Sequence, residues 1–308
     1  MSEIFIYQIL PHYAKGEDLD PGFLVLDNTS RERPDWYEYW PIRKFLLEEP
    51  LQQDCFYGFF SPRFKEKTNL SAAAVREIVS RDGNADIVLF SHSPEKHSYF
   101  WNVFEYADHC HPGLFDLATQ FFVRIGQPTD LKALITHTGN EVSSNFMIAK
   151  PRFWMVWLGI VERLIAMAES PTDPLGVELR KPTSYRGRRD AQMKVFVLER
   201  IATWILARDH EYLVRVRDPI VSRSRLYKLP GAIVCDALKI AYIASNRQEK
   251  YRIVFNLICK LGRLLNLEIR VGNFFGFKNV RACLETLSSL RTKSGGHDGS
   301  VESVIDRH

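Results

Sequence analysis

Two apolar runs of strand length, Phe56–Phe60 and Ala85–Phe90, flank a segment with one apolar helical face. That segment, Ser71 to Ser80, opens on a serine suited to capping, continues through Ala72–Ala74, and places Val75, Ile78 and Val79 at helical spacing. A strand–helix–strand order of this kind needs a crossover, which parallel strands require and hairpins do not. The chain is therefore predicted to be α/β, with a parallel or mixed sheet flanked by helices.

Other elements extend the pattern. Ile4–Leu10 and Phe23–Leu26 read as strands, the second ended by Asp27-Asn28-Thr29. The aromatic stretch Trp36 to Leu47 has helical spacing, and Pro41 must fall in its first turn or break it. Leu114 to Ile125 is predicted helical, Asn145 to Ala149 a strand, and Phe153 to Glu169 a helix buried through Trp154, Trp157, Leu158, Val161, Leu164 and Ile165. Ser170 to Arg188 reads as a long loop, Asp190 to Ala207 as a helix, and Ala232 to Leu265 as one or two helices with basic faces. The polar run 294–308 reads as disordered.

The loop after Phe60 concentrates polar chemistry. Asp54-Cys-Phe-Tyr57-Gly58-Phe-Phe-Ser61-Pro62-Arg63-Phe-Lys65-Glu-Lys67-Thr68 runs from a strand into a turn dense with hydroxyls and cations. Strands ending in such a turn often present a ligand site, because the sheet fixes the loop and the loop supplies the polar groups. Arg63, Lys65 and Lys67 suit a phosphate or another anion. The competing reading is a solvated basic turn.

Charge is distributed unevenly. From Lys239 to Lys293 there are eleven Lys/Arg and three Glu, a net +8; the whole chain is +4, which leaves −4 for the remainder. The C-terminal region is thus expected to face an anionic surface. No apolar run approaches the roughly 20 residues that span a bilayer. Met-Ser-Glu-Ile-Phe-Ile-Tyr lacks a basic region followed by a secretory segment, and reads as a strand beginning at once. The five cysteines are scattered, with no pair at zinc-ribbon or redox spacing. A reducing, cytoplasmic setting is expected.

The segment Trp36–Arg43, followed by Tyr57-Gly-Phe-Phe-Ser-Pro-Arg-Phe, resembles a pattern in bacterial capsule and O-antigen polysaccharide glycosyltransferases. Asn145-Phe-Met-Ile-Ala-Lys150-Pro-Arg-Phe-Trp154 and Lys194-Val-Phe-Val-Leu-Glu199-Arg200-Ile resemble two further elements of that family. The resemblance spans about Ile4 to Arg217 in order. It implies a GT-A-like, Rossmann-like fold over 1–217, binding a nucleotide-diphosphate sugar at the carboxyl edge of its sheet. It also implies transfer to a glycan or lipid-linked glycan of a growing surface polysaccharide, peripherally at the inner face of the cytoplasmic membrane. A basic helical region, 218–293, and the tail, 294–308, lie outside the pattern. No Asp-x-Asp ends a central strand; Asp86, alone in Asp-Ile-Val, is the remaining candidate to hold Mn2+ or Mg2+, or to approach the ribose.

Sugar transfer needs positive charge on the leaving diphosphate, a base for the acceptor hydroxyl in an inverting enzyme, and polar groups that hold the donor. Arg63, Lys65, Lys67 and the Arg186/Arg188/Arg189 cluster are the candidates for charge. Glu199, a carboxylate in an apolar helix, is the first candidate base and Glu105 the second. Tyr57, Ser61, Asp27, Asn28, Asn145 and His111 are candidate substrate contacts, with Asn140, Ser143 and Ser144 beside Asn145. For each, the plainer alternative is a satisfied structural role.

Two rival readings stand beside this one. The first is a metal-dependent hydrolase using His92, His97, Asp108, His109 and His111. The second is a non-catalytic nucleic-acid-binding protein, disfavoured because no recognition module is present. The basic, amphipathic stretch Lys250 to Leu265 is suited to an anionic membrane or to packing on the domain.

Overall fold

The computed structural model describes residues 3–12, 19–90, 97–142, 144–185, 188–217, 229–245 and 249–261. Strands are β1 (Ile4–Pro11), β2 (Leu24–Asn28), β3 (Phe56–Phe60), β4 (Ile87–Leu89), β5 (Met147–Ala149), β6 (Pro182–Tyr185), β7 (Arg188–Gln192) and β8 (Val214–Val216). Helices are α1 (Tyr39–Glu48), α2 (Phe64–Thr68), α3 (Ala72–Arg81), α4 (Val103–Cys110), α5 (Leu114–Arg124), α6 (Pro151–Glu169), α7 (Pro174–Arg180), α8 (Met193–Arg208) and α9 (Leu229–Ala244).

Side-chain alternation along the strands builds two apolar layers. Ile9, Tyr57, Phe59, Ile87, Leu89, Met147 and Ala149 join one core with α1 and α4–α8. Ile6, Phe56, Phe60, Val88, Phe146 and Ile148 join a second core with α3 and Phe64. The sheet order is β2-β1-β3-β5-β4-β8. β1 is parallel to β2 and β3, and β4 to β8. β5 runs antiparallel to both β3 and β4. The result is α/β with a mixed six-stranded sheet, as the strand–helix–strand pattern predicts. β6 and β7 form a separate two-stranded hairpin.

The chain divides into two compact units, Met1–Phe255 and Asn256–His308. The sheet and the helices α1–α9 all belong to the first. The described part of the second, residues 256–261, is helical. The expected disordered tail, 294–308, lies outside the described residues.

Pro41 occupies the first turn of α1, and Ser71 Oγ accepts from Ala74 N at the start of α3, both as expected. The stretch expected as a loop, Ser170 to Arg188, instead holds α7 and β6. Asp173 caps α7 by accepting from Leu175 N and Gly176 N, and Leu175 and Leu179 bury its short apolar face. Because Arg188–Gln192 pair with Pro182–Tyr185, α8 starts at Met193 rather than at Asp190. Three elements carried too little periodicity to predict: α2, five residues long within the segment read as a turn, α4, which is capped by buried Asn102, and the three-residue β8.

Lys194, at the first turn of α8, is almost fully buried. Its ammonium lies 2.5 Å from Asp35 Oδ2, 3.5 Å from Glu169 Oε1 and 4.1 Å over the Trp36 ring. Arg33 binds both carboxylates from the outside. Burial would raise the Asp35 carboxyl, but the hydrogen bonds and charges of Arg33 and Lys194 bring it down from 3.8 to about 2. A depressed carboxyl stabilises the fold fully above its unfolded pKa and loses that contribution as pH falls through its folded one.

Two predictions follow from this architecture. A Cβ at Gly58 would stand 2.7 Å from Ile148 Cγ1 across the β3–β5 pair, so Gly58→Ala is expected to lower stability by about 1–3 kcal/mol in denaturant titration. Asp35→Asn leaves buried Lys194 with Glu169 alone; it is expected to cost about 3 kcal/mol at neutral pH. The same variant is expected to flatten the stability profile between pH 4 and pH 2, read by thermal unfolding across that range.

Candidate active site at the carboxyl edge of the sheet

The five parallel strands all end at one edge, and antiparallel β5 begins there. In open α/β sheets this edge, at the point where strand order reverses, is where ligands bind. Here the order reverses at β1, which has β2 on one side and β3 on the other. Gln8 ties the ends together: its Nε2 donates to Ser61 O (3.3 Å) and Pro62 O (3.1 Å), and its Oε1 accepts from Asp20 N (2.9 Å).

Continuing the β3–β5 register past Gly58–Ile148 sets Ser61 opposite Asn145. The Ser61 hydroxyl is buried and has no hydrogen-bond partner among the described residues. A buried, unpaired hydroxyl costs roughly 1–3 kcal/mol, and such groups in native folds call for a functional account. The chain enters β5 through Ser144 and Asn145, both left-handed at φ 56° and 57°. Consecutive left-handed residues without glycine store strain of the kind found at ligand sites.

Contacts continue outward from this turn. Lys67 Nζ donates to Ser144 Oγ at 3.1 Å and lies 5.2 Å over the Phe146 ring. The side chain of Asn145 is hydrogen-bonded to Tyr39, which is buried at the start of α1. Burial, then the negative charges of Glu199 and Glu38, push the Tyr39 phenol well above its usual range. Glu199 Oε2 accepts from Arg200 Nη1 at 2.6 Å, and Arg200 also donates to Phe196 O at 2.9 Å. About a third of the Glu199 side chain remains exposed. One turn on, Thr203 Oγ1 accepts from Val142 N at 2.9 Å and fastens α8 to the segment leading into β5.

A second pair adjoins this row. Glu141 is buried and bonded to His97. Burial alone would raise its carboxyl, but the His97 ring, its hydrogen bond and the charges of Lys239 and Arg200 hold it below the ordinary range. At the carboxyl end of β8, Arg217 N donates to Leu89 O, and burial lowers its guanidinium.

Of the residues expected in the site, Ser61, Lys67 and Asn145 lie along this edge, and Glu199 acts through its charge on Tyr39, the partner of Asn145. Asp27 and Asn28 end β2 on the same edge; Asp27 is exposed and accepts from Thr29 N, which lowers its carboxyl. Arg63 turns to Glu66 (2.6 Å), and Lys65 is exposed on α2. His111 is buried against the Phe196 ring (3.6 Å), with Nδ1 3.3 Å from Thr183 Oγ1, one turn of α8 before Glu199. Arg188 stands on β7 opposite Tyr185.

Three further expected residues are placed elsewhere or engaged in local structure. Tyr57 sits near the start of β3, where its hydroxyl accepts from Gln52 N at 3.0 Å, away from the carboxyl edge. Glu105 accepts from Trp101 N at 2.9 Å beside the Asn102 cap, which gives it a helix-capping role. Asp86 precedes β4 and so lies at the opposite, amino edge. There it accepts from Leu213 N at 2.9 Å and faces Lys150 at 3.7 Å. The residue expected to hold Mn2+ or Mg2+ thus stands at the edge opposite Ser61 and Asn145.

The histidine cluster is dispersed as well. His97 is taken by Glu141, Asp108 Oδ1 accepts from Gly113 N and Phe115 N, and His109 is exposed beside Phe100. His92 lies outside the described residues. Among the described residues, no three His, Cys, Asp or Glu side chains converge. A cavity of about 420 Å³, lined by Thr119, Val123, Arg124, Leu175 and Glu178, opens between α5 and α7 and does not include any of the edge residues.

Scans of family models, curated proteins and solved structures find no significant match to this chain. The functional reading therefore rests on the edge itself. Sequence reading missed Tyr39, Glu141 and Arg200. Glu141 stands inside the polar run Asn140 to Asn145, and that run was the available signal.

The turn into β5 gives a direct test. Asn145→Gly keeps the left-handed backbone and loses only the bond to Tyr39, an expected cost of about 0.5–1.5 kcal/mol. Asn145→Ala adds the left-handed penalty and is expected to cost about 1–2 kcal/mol more. Chemical denaturation of the two variants checks the difference.

Proposed function

We propose that this chain is a glycosyltransferase that binds a nucleotide-diphosphate sugar at the carboxyl edge and transfers the sugar to an acceptor glycan. The observation that carries the proposal is the turn into β5 at the carboxyl edge: Lys67 bonds to Ser144, Asn145 bonds to Tyr39, and the Ser61 hydroxyl opposite Asn145 is buried with no hydrogen-bond partner among the described residues. The charge of Glu199, from a distant part of the sequence, acts on the Tyr39 phenol.

The roles follow from charge and exposure. The diphosphate leaves with negative charge developing on its bridging oxygen, and the Lys67 ammonium offsets it. The acceptor hydroxyl oxygen attacks the anomeric carbon as the bond to the diphosphate breaks, and its proton passes to Glu199. Arg200 holds the Glu199 carboxylate in orientation. Asn145, Ser61 and Ser144 offer polar atoms to donor hydroxyls. Asp27 and Asn28, at the end of β2, take the nucleoside end. Motif resemblance supports a bacterial surface polysaccharide as acceptor and a GT-A-like arrangement of the sheet.

Isothermal titration with UDP-, GDP-, CMP- and TDP-sugars, with and without manganese, tests this directly. One donor class is expected to bind, with affinity reduced about 10-fold or more by Lys67→Met. Glu199→Gln is expected to retain donor binding while turnover falls about 100-fold or more. Failure of every nucleotide sugar to bind overturns the proposal.

A further inference from the structure

Helix α9 presents its apolar side to solvent and its polar side to the protein. Asp236 accepts from Thr138 N (2.9 Å) and Thr138 Oγ1 (2.6 Å). Lys239, almost fully buried, donates to Thr136 O at 2.9 Å and lies 5.7 Å over the Phe255 ring. Tyr242 packs on Trp101, and Cys235 is buried. The opposite face carries Ile233 (57% exposed), Val234 (46%), Ile240 (47%) and Ile243 (51%), with exposed Ala237 and Ala244 between them. A surface helix ordinarily has the reverse arrangement. Both charged side chains described on α9 are engaged with the body of the protein, so the outward face has no charged group to hold water.

Ile253 and Val254, in the helical residues that follow, are exposed to a similar degree. An exposed apolar helical face of this kind marks an interaction site. Its chemistry is narrowed by charge: the sequence from Lys239 to Lys293 carries a net +8 against −4 for the rest of the chain. An apolar helical face followed in the sequence by a basic segment matches an anionic lipid surface, where side chains enter the headgroup–acyl boundary and Lys/Arg meet the lipid charge. α9 has 16 residues, and among the described residues no helix is long and apolar enough to cross a membrane. It would therefore lie in the interface.

We propose that α9 docks the protein on an anionic phospholipid bilayer through Ile233, Val234, Ile240 and Ile243. A second copy of the chain would cover the same apolar face but would gain nothing from the basic sequence that follows it. The proposal does not depend on sugar transfer, and it is tested with no nucleotide sugar present.

The experiment is co-sedimentation of the full chain with phosphatidylcholine vesicles and with phosphatidylcholine–phosphatidylglycerol vesicles, at low and high salt. Binding to the anionic vesicles is expected to be at least about 10-fold stronger and to weaken with salt. The triple variant Ile233→Gln/Ile240→Gln/Ile243→Gln is expected to lose about 100-fold in binding. Val123→Gln, at an exposed apolar site on α5, is expected to change nothing. Circular dichroism establishes that the triple variant is folded; if it is not, Ile240→Gln alone is expected to weaken binding several-fold. No vesicle binding by the wild type overturns the proposal, as does equal binding by the folded triple variant. A dimer that these substitutions dissociate, without vesicle binding, assigns the face to a second copy and also overturns it.

Discussion

Met147–Ala149 is the strand on which the sheet depends. β5 forms the only ladder, among the described residues, between the parallel set β2-β1-β3 and the parallel pair β4-β8. A strand this short contributes few hydrogen bonds, so it relies on close packing. Gly58 supplies that closeness, because any side chain there would collide with Ile148. Trp154 reinforces the join by donating from its indole to Tyr57 O at 3.0 Å.

The direction of β5 decides what stands at each edge. Running opposite to its neighbours, it must be entered at the carboxyl edge, through Ser144 and Asn145, and left at the amino edge, where Lys150 and Pro151 start α6. A parallel strand in the same position would reverse this and carry the polar turn away from Ser61 and Lys67. One reversed strand thus accounts for both the continuity of the sheet and the composition of the candidate site.

Helix α8 distributes the remaining polar contacts. Lys194 closes a buried ionic network, while Glu199 and Arg200, one to two turns later, act through their charges on Tyr39. The two sets differ in a way that matters for function. Lys194 is sealed among Asp35, Glu169 and Trp36, so its charge is spent on structure. Glu199 is paired yet part exposed, so solvent and a ligand can reach it.

Local signals made much of this legible. Apolar runs of strand length exposed β1 and β3, and the Ser71 cap exposed α3, because buried strands and helix starts are written in neighbouring residues. Lys67, Asn145, Ser61 and Glu199 were identifiable as polar groups at element boundaries or in apolar surroundings. Two misplacements were avoidable from the same information. Asn102-x-x-Glu105 has the spacing of a helix cap, and a residue that precedes a parallel strand, as Asp86 does, falls at the amino edge. By itself, then, the sequence determined the α/β class and which segments carry polar chemistry. Only the tertiary structure decided that β5 reverses, that Lys67 reaches Ser144, and that α9 turns its isoleucines outward. Those outcomes depend on pairings between segments distant in the chain, which leave no periodic trace in either partner.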